Sequence, residues 1–205
     1  MRIKKLVFSL LGLALVGSVA LADGLDGQYE VVAPLVAPPA HSLDKVIIHE
    51  VFYFGCPHCF ELNKVLPTFA KTYGKRVELI SVPIGWSGPD PGRLLMIARQ
   101  KGHDKEMEVK NMILSFTHEK GLGKAMFTRD KLQFVAKLTG LSREFETLMD
   151  DPVIVKQMDD AMAFAKEKGV ESTPTLILQG SVKVVGNDLV NLKKVLNSML
   201  KEPVP

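Results

Sequence analysis

From Val46 to Phe54 the chain reads Val-Ile-Ile-His-Glu-Val-Phe-Tyr-Phe, dense in β-branched and aromatic residues. That composition predicts a buried central strand. The hydrophobic period then changes. Phe60, Leu62, Val65, Leu66, Phe69 and Ala70 lie close to one helical stripe, and Pro67 within it should kink the helix or end its first half. Val77–Val82 is a second strand pattern, closed by Pro83. The order β–α–β predicts a parallel pair joined by a crossover helix.

Gly85 to Gly92, with Pro89 and Pro91, interrupts that pattern. Beyond it, up to Lys168, the periodicity is helical, with stretches near 93–101, 104–118, 129–139, 142–149 and 152–168. Thr128 and Ser142 are the expected N-caps, Asp151 precedes Pro152 at N1, and Gly140 and Gly169 are the expected stops. β character returns at Thr175–Gln179 and Val182–Val185 around a Gly180-Ser181 turn, and a last helix runs from about Asp188 to Lys201. Upstream, residues 23–42 form a Pro- and Gly-containing arm in which Tyr29–Val32 could be an edge strand. The two β pieces need each other to complete one sheet, so the helical block reads as an insertion in an α/β fold. The expected division is 23–86 for the first part of the sheet domain, 87–160 for the insertion and 161–205 for the second part.

Charge changes the picture only at the N-terminus. Arg2, Lys4 and Lys5 precede an apolar stretch from Leu6 to Val16 and the small-x-small sequence Ala20-Leu21-Ala22. Residues 1–22 therefore read as a secretory signal peptide, too short in its apolar core for a membrane anchor. Without its three basic side chains, 26 Lys and Arg become 23 against 23 Asp and Glu. The formal +3 thus belongs to the leader, and the remaining chain has no charge-based case for nucleic-acid binding. Export places the protein in an oxidising compartment, the bacterial periplasm being the expected destination.

In that compartment the 205 residues hold two cysteines, both in Cys56-Pro57-His58-Cys59. So short a ring would restrict the unfolded chain by only about 2 kcal/mol, which argues for chemistry over stapling. The motif lies where a strand hands over to a helix. Cys56 would meet outward-pointing helix N–H groups and the positive end of the helix dipole, which favours a thiolate. Pro57 suits the first turn, where its missing N–H costs nothing, and His58 can add positive charge or a hydrogen bond beside the Cys56 sulfur. A stabilised thiolate favours the reduced form and makes the disulfide a stronger oxidant. Cys56 is then the nucleophile and Cys59, one turn in, the more buried resolving thiol. Downstream, Gly169-Val170-Glu171-Ser172-Thr173-Pro174 puts a proline just before a strand, suggesting a cis peptide at Thr173–Pro174.

Glu50 six positions before Cys56, the lead-in Phe52-Tyr53-Phe54, the full Cys-Pro-His-Cys motif, the Gly-Val…Pro loop before the hairpin and Asp26-Gly27-Gln28-Tyr29 together resemble the DsbA family of thioredoxin-fold disulfide oxidoreductases. The resemblance implies a thioredoxin fold with an inserted all-helical domain and a redox-active Cys56–Cys59 disulfide in place of any cofactor. Substrate thiolate would attack that disulfide to give a mixed disulfide on Cys56, which a second substrate thiol resolves. The implied partners are reduced exported polypeptides and a DsbB-like membrane quinone oxidase, with the protein itself a monomer. Thr173 and Pro174 would face the cysteines and bind an extended substrate by strand addition. Two positions depart from the family. Some members pair the acid, here Glu50, with a lysine on the next strand, and Leu79-Ile80-Ser81-Val82 contains none. Glu50 is therefore expected to be a lone buried carboxylate that relays protons to or from Cys59. Thr173 stands where many strong oxidants carry valine, and threonine there is shared with isomerases and reductases of the superfamily.

An isomerase or reductase is accordingly the alternative within the class, although residues 23–44 are too short for a separate dimerisation domain. A metal-binding module using Cys56, His58 and Cys59 is the alternative outside it, short of the four ligands zinc sites generally require. His41, His49, His103 and His118 have no ligand-like spacing and read as surface or structural residues. Trp86 reads as a boundary-loop aromatic, or else as part of a substrate groove. The methionines of the insertion read as core filling.

Overall fold

The structure is a computed structural model and describes residues 24–203; the expected leader lies outside the described residues. Its centre is β2 (Val46–Phe52), buried at Val46, Ile48 and Glu50–Phe52. Helix α1 (Pro57–Thr72) crosses from it to β3 (Val77–Pro83), which pairs parallel to β2 with Glu50 opposite Ser81. The β–α–β unit is thus formed as the hydrophobic pattern predicts. Pro67 does not end α1, which continues through it to Thr72.

Five helices follow: α2 (Asp90–Arg99), α3 (His103–His118), α4 (Arg129–Leu138), α5 (Ser142–Leu148) and α6 (Pro152–Glu167). The Pro-rich break is shorter than its composition suggests, because Pro91 and Gly92 lie in the first turn of α2. Gly92 permits a close helix contact, since a Cβ there would lie 2.3 Å from the Met158 sulfur. Asp151 caps α6 through the Val153 N–H, as expected. Ser142 is not a cap: it is the first residue of α5, and Leu141 occupies the N-cap position. A 3₁₀ turn at Gly123–Phe127 had no periodic signal.

The chain then returns to the same sheet as β4 (Thr175–Leu178) and β5 (Val182–Val184) and ends on α7 (Leu189–Met199). The hairpin turn is centred on Gln179 and Gly180, both at positive φ, one residue earlier than the sequence suggests. That is the type I′ geometry matching strand twist. With the short edge strand β1 (Tyr29–Val31), the sheet order is β1-β5-β4-β2-β3, and only the β2–β3 pair is parallel. Two distant segments therefore build one sheet around β2, as an α/β thioredoxin fold with a helical insertion requires.

Two hydrophobic clusters hold it. One joins Val46, Ile48, Leu62 and Leu66 to Leu176, Leu178 and the buried face of α7. The other joins Val51, Phe52, Phe54 and Cys59 to the insertion through residues such as Leu94, Leu114 and Val135. Met96, Met126 and Met149 are buried in the second cluster and Met158 is buried against Gly92, as core filling requires, whereas Met107, Met112 and Met162 are only partly buried. Among the described residues no helix is long and apolar enough to cross a membrane.

Candidate active site

The site begins where β2 stops. Tyr53 to Cys56 form a turn closed by the Cys56 N–H donating to the Tyr53 carbonyl at 3.0 Å. Gly55 is required within it, because a Cβ there would meet the Tyr53 ring at 2.6 Å. The turn delivers Cys56 to the N-cap of α1, in extended backbone conformation, with Pro57 at N1. A cysteine thus occupies the position where serine or aspartate normally accepts from free helix N–H groups. The Cys59 N–H donates to the Cys56 sulfur at 3.4 Å, and the Cys56 thiol donates to the Thr173 carbonyl at 3.2 Å.

The two sulfurs differ sharply in environment. Both cysteines are free thiols, Cys56 half-buried and Cys59 buried. Burial pushes the Cys59 thiol far above the usual cysteine range, and hydrogen bonds from the Tyr53 backbone and the Thr173 side chain only partly offset it. Thr173 therefore touches both cysteines, its carbonyl facing Cys56 and its hydroxyl facing Cys59. The Thr173–Pro174 peptide is cis, as the sequence suggests, and Pro174 is buried beside them. His58 and Pro57 are exposed on the first turn of α1. Among the described residues no hydrogen bond joins His58 to the Cys56 sulfur.

Glu50 is buried, but it is not alone. Lys110, from α3, reaches it across the core: Lys110 Nζ donates to Glu50 Oε2 at 2.6 Å and to Ser81 Oγ at 3.0 Å, and lies 4.2 Å from the centre of the Phe52 ring. Lys110 is wholly buried and Glu50 is 1% exposed. The three ammonium hydrogens thus have a carboxylate, a hydroxyl and an aromatic face to meet. This corrects the expectation of a lone carboxylate. The lysine missing from β3 is replaced by one from the insertion, and Ser81, small and polar opposite Glu50 in register, accepts one of its hydrogens. Glu50 Oε1 has no hydrogen-bond partner among the described residues.

Trp86 is half exposed, 5.8 Å from the Tyr53 ring, while Tyr53 Oη is hydrogen-bonded to Ser87 Oγ. His49 points into a small cavity between β2 and α6, its ring 4.8 Å from that of Phe164, and burial lowers its pKa. His118 bonds the Phe54 carbonyl. Among the described residues no group of three or more His, Cys, Asp and Glu is placed to hold a metal ion.

A family model described as Thioredoxin matches residues 42–197. The chain belongs to the thioredoxin family. Within that family it stands with the DsbA thiol:disulfide interchange proteins and is a thiol:disulfide oxidoreductase. It is 25% identical over 168 residues to the thiol:disulfide interchange protein DsbA of Bordetella pertussis, covering 79% of this chain and 78% of that protein. The structure superposes on the oxidoreductase DsbA of Xylella fastidiosa with a TM-score of 0.66 at 24% identity, covering 80% of this chain and 88% of the other. A Proteus DsbA solved with a non-covalently bound peptide superposes with a TM-score of 0.59 at 13% identity, covering 78% and 83%. The thioredoxin fold accounts for the arrangement seen here, with the Cys-x-x-Cys pair at the start of α1 facing the cis-proline loop before β4.

Proposed function

We propose that this oxidoreductase donates the Cys56–Cys59 disulfide to reduced polypeptides exported to the periplasm, through a mixed disulfide on Cys56. The asymmetry of the two cysteines carries the proposal: Cys56 is half-buried at the N-cap of α1, its sulfur accepting the Cys59 N–H, whereas Cys59 is buried and held as a thiol. Attack by a substrate thiolate on the Cys56 sulfur breaks the Cys56–Cys59 bond. Cys59 leaves and takes up a proton. A second substrate thiolate then attacks the substrate sulfur of the mixed disulfide and displaces Cys56. The substrate gains a disulfide, and the protein keeps two electrons as a dithiol. A DsbB-like membrane quinone oxidase would restore the disulfide.

Pro57 sets the first turn of α1, and His58 stands exposed beside it, one residue before Cys59. Thr173 and Pro174 offer backbone groups to an extended substrate chain; the peptide complex of the Proteus relative is consistent with such a mode. The leader pattern of residues 1–22 supports the periplasmic assignment, and the balanced charge of the remaining chain gives no support to a nucleic-acid partner. The Glu50–Lys110 pair sits in the core against Phe52, which packs in the same cluster as Cys59.

The capture step is tested with Cys59→Ser. Incubated with a polypeptide carrying an activated disulfide, this variant should accumulate a stable adduct, mapped by mass spectrometry to Cys56. An adduct that never forms would refute the assignment of Cys56 as the exchange point.

A further inference from the structure

The turn that presents Cys56 is held from outside. In a four-residue turn the carbonyl of the second residue, here Phe54, points away from the turn and finds no partner within it. His118, the last residue of α3, supplies one: its Nε2 lies 2.9 Å from the Phe54 oxygen. A carbonyl can only accept, so Nε2 carries the hydrogen. The ring is fixed a second time by stacking on Phe60, at 5.1 Å between centres and 17° between planes. Phe60 is the residue after Cys59, and the Lys64 ammonium lies 3.9 Å from the centre of its ring. His118 therefore grips both sides of the cysteine motif, the turn before Cys56 and the first turn of α1 after it.

The helix bearing His118 cannot drift from the site. Lys110, Leu114 and His118 form one i, i+4, i+8 row on α3, with Lys110 anchored on Glu50 and Leu114 fully buried. On the neighbouring face, Asn63 of α1 donates to Asn111 at 2.7 Å. The insertion thus reaches the active site at two levels, under the sheet end through Lys110 and at the presenting turn through His118.

We propose that His118 is a positioning residue for disulfide exchange, setting the orientation in which the Cys56 sulfur meets the Cys59 N–H and faces incoming substrate. This rests on the reading of Cys56 as the exchange point. Without the His118 bond, the Phe54–Gly55 peptide is free to rotate, and the 3.4 Å contact that stabilises the Cys56 sulfur is made for less of the time. The reduced form then loses stabilisation, and Cys56 reacts more slowly wherever the thiol form predominates.

The test pairs variants that keep or remove the N–H donor. His118→Phe retains a ring over Phe60 without a donor; His118→Gln retains a donor without the ring. In the Cys59→Ser background, alkylation of Cys56 by iodoacetamide, followed across pH, should slow on the acid side of its profile by up to about tenfold for His118→Phe, the limit expected for one lost hydrogen bond, and stay within about twofold for His118→Gln. With both cysteines present, the glutathione equilibrium of His118→Phe should move toward the disulfide by a similar factor. Equal rates for His118→Phe and wild type would overturn the proposal. So would equal slowing in both variants with parallel falls in melting temperature, which would mark a role in folding alone. Should His118→Phe not fold, His118→Met, matched to Gln in length but without a donor, takes its place in the comparison. If instead the Cys59→Ser parent captures no substrate on Cys56, the reading of the exchange point fails, whatever the His118 variants do.

Discussion

Replacing Cys56 by serine is expected to reduce oxidation of a reduced polypeptide to the uncatalysed rate, while stability changes by no more than about 1 kcal/mol. The loss is complete because Cys59 cannot substitute. It is buried, its thiol is held protonated by that burial, and the thiolate is the reactive form of a cysteine. Stability is spared because the Cys56 side chain is half-buried and its polar contacts, to the Cys59 N–H and the Thr173 carbonyl, are ones a serine hydroxyl can also make. Residual catalysis in the serine variant, measured as disulfide formation in the substrate polypeptide, would show that Cys59 is accessible after all.

A second large effect is expected in the core. Lys110→Met should destabilise the protein by about 3–5 kcal/mol, because it leaves the Glu50 carboxylate buried without its counter-charge. For a chain of this size that corresponds to a fall in melting temperature of roughly 6–20 °C. The double variant Glu50→Gln/Lys110→Met should recover most of the loss, since a buried ion pair as a whole adds little over neutral groups of similar volume. The pair is deep enough for this argument, with Lys110 wholly buried and Glu50 at 1% exposure. Chemical denaturation of wild type, single and double variants measures the coupling directly. A single variant within about 1 kcal/mol of wild type, or a double variant no more stable than the single one, would contradict it.

Lys110 also marks where the sequence stops being legible. Strand and helix assignments came from local periodicity, and the cysteine motif is contiguous, so both could be read directly. The Glu50 partner could not, because it lies 60 positions away on a helix whose docking no local pattern specifies. A signal was nevertheless present: Lys110 falls on the apolar row of α3 with Ile113, Leu114 and Thr117, where a charged residue has to be paired. His118 closes the same row, and spacing alone gave it no distinction from the other histidines. Smaller misses have local causes. Ser142 has the right chemistry for a cap, but the helix starts one residue earlier than its cap position requires, and Leu141 packs into the core instead. Pro67 stays inside α1 because burial of Leu62, Leu66 and Ala70 on either side of it outweighs the one hydrogen bond it removes.

Thr173 bears on the direction of electron flow, since its hydroxyl favours the thiolate of Cys59 while its carbonyl receives the Cys56 thiol. The equilibrium of the Cys56–Cys59 couple with glutathione decides that direction most directly. If the chain is an oxidant, the potential should lie well above that of thioredoxin, nearer about −120 mV than about −270 mV. A value close to the thioredoxin potential would contradict the account and make the protein a reductase.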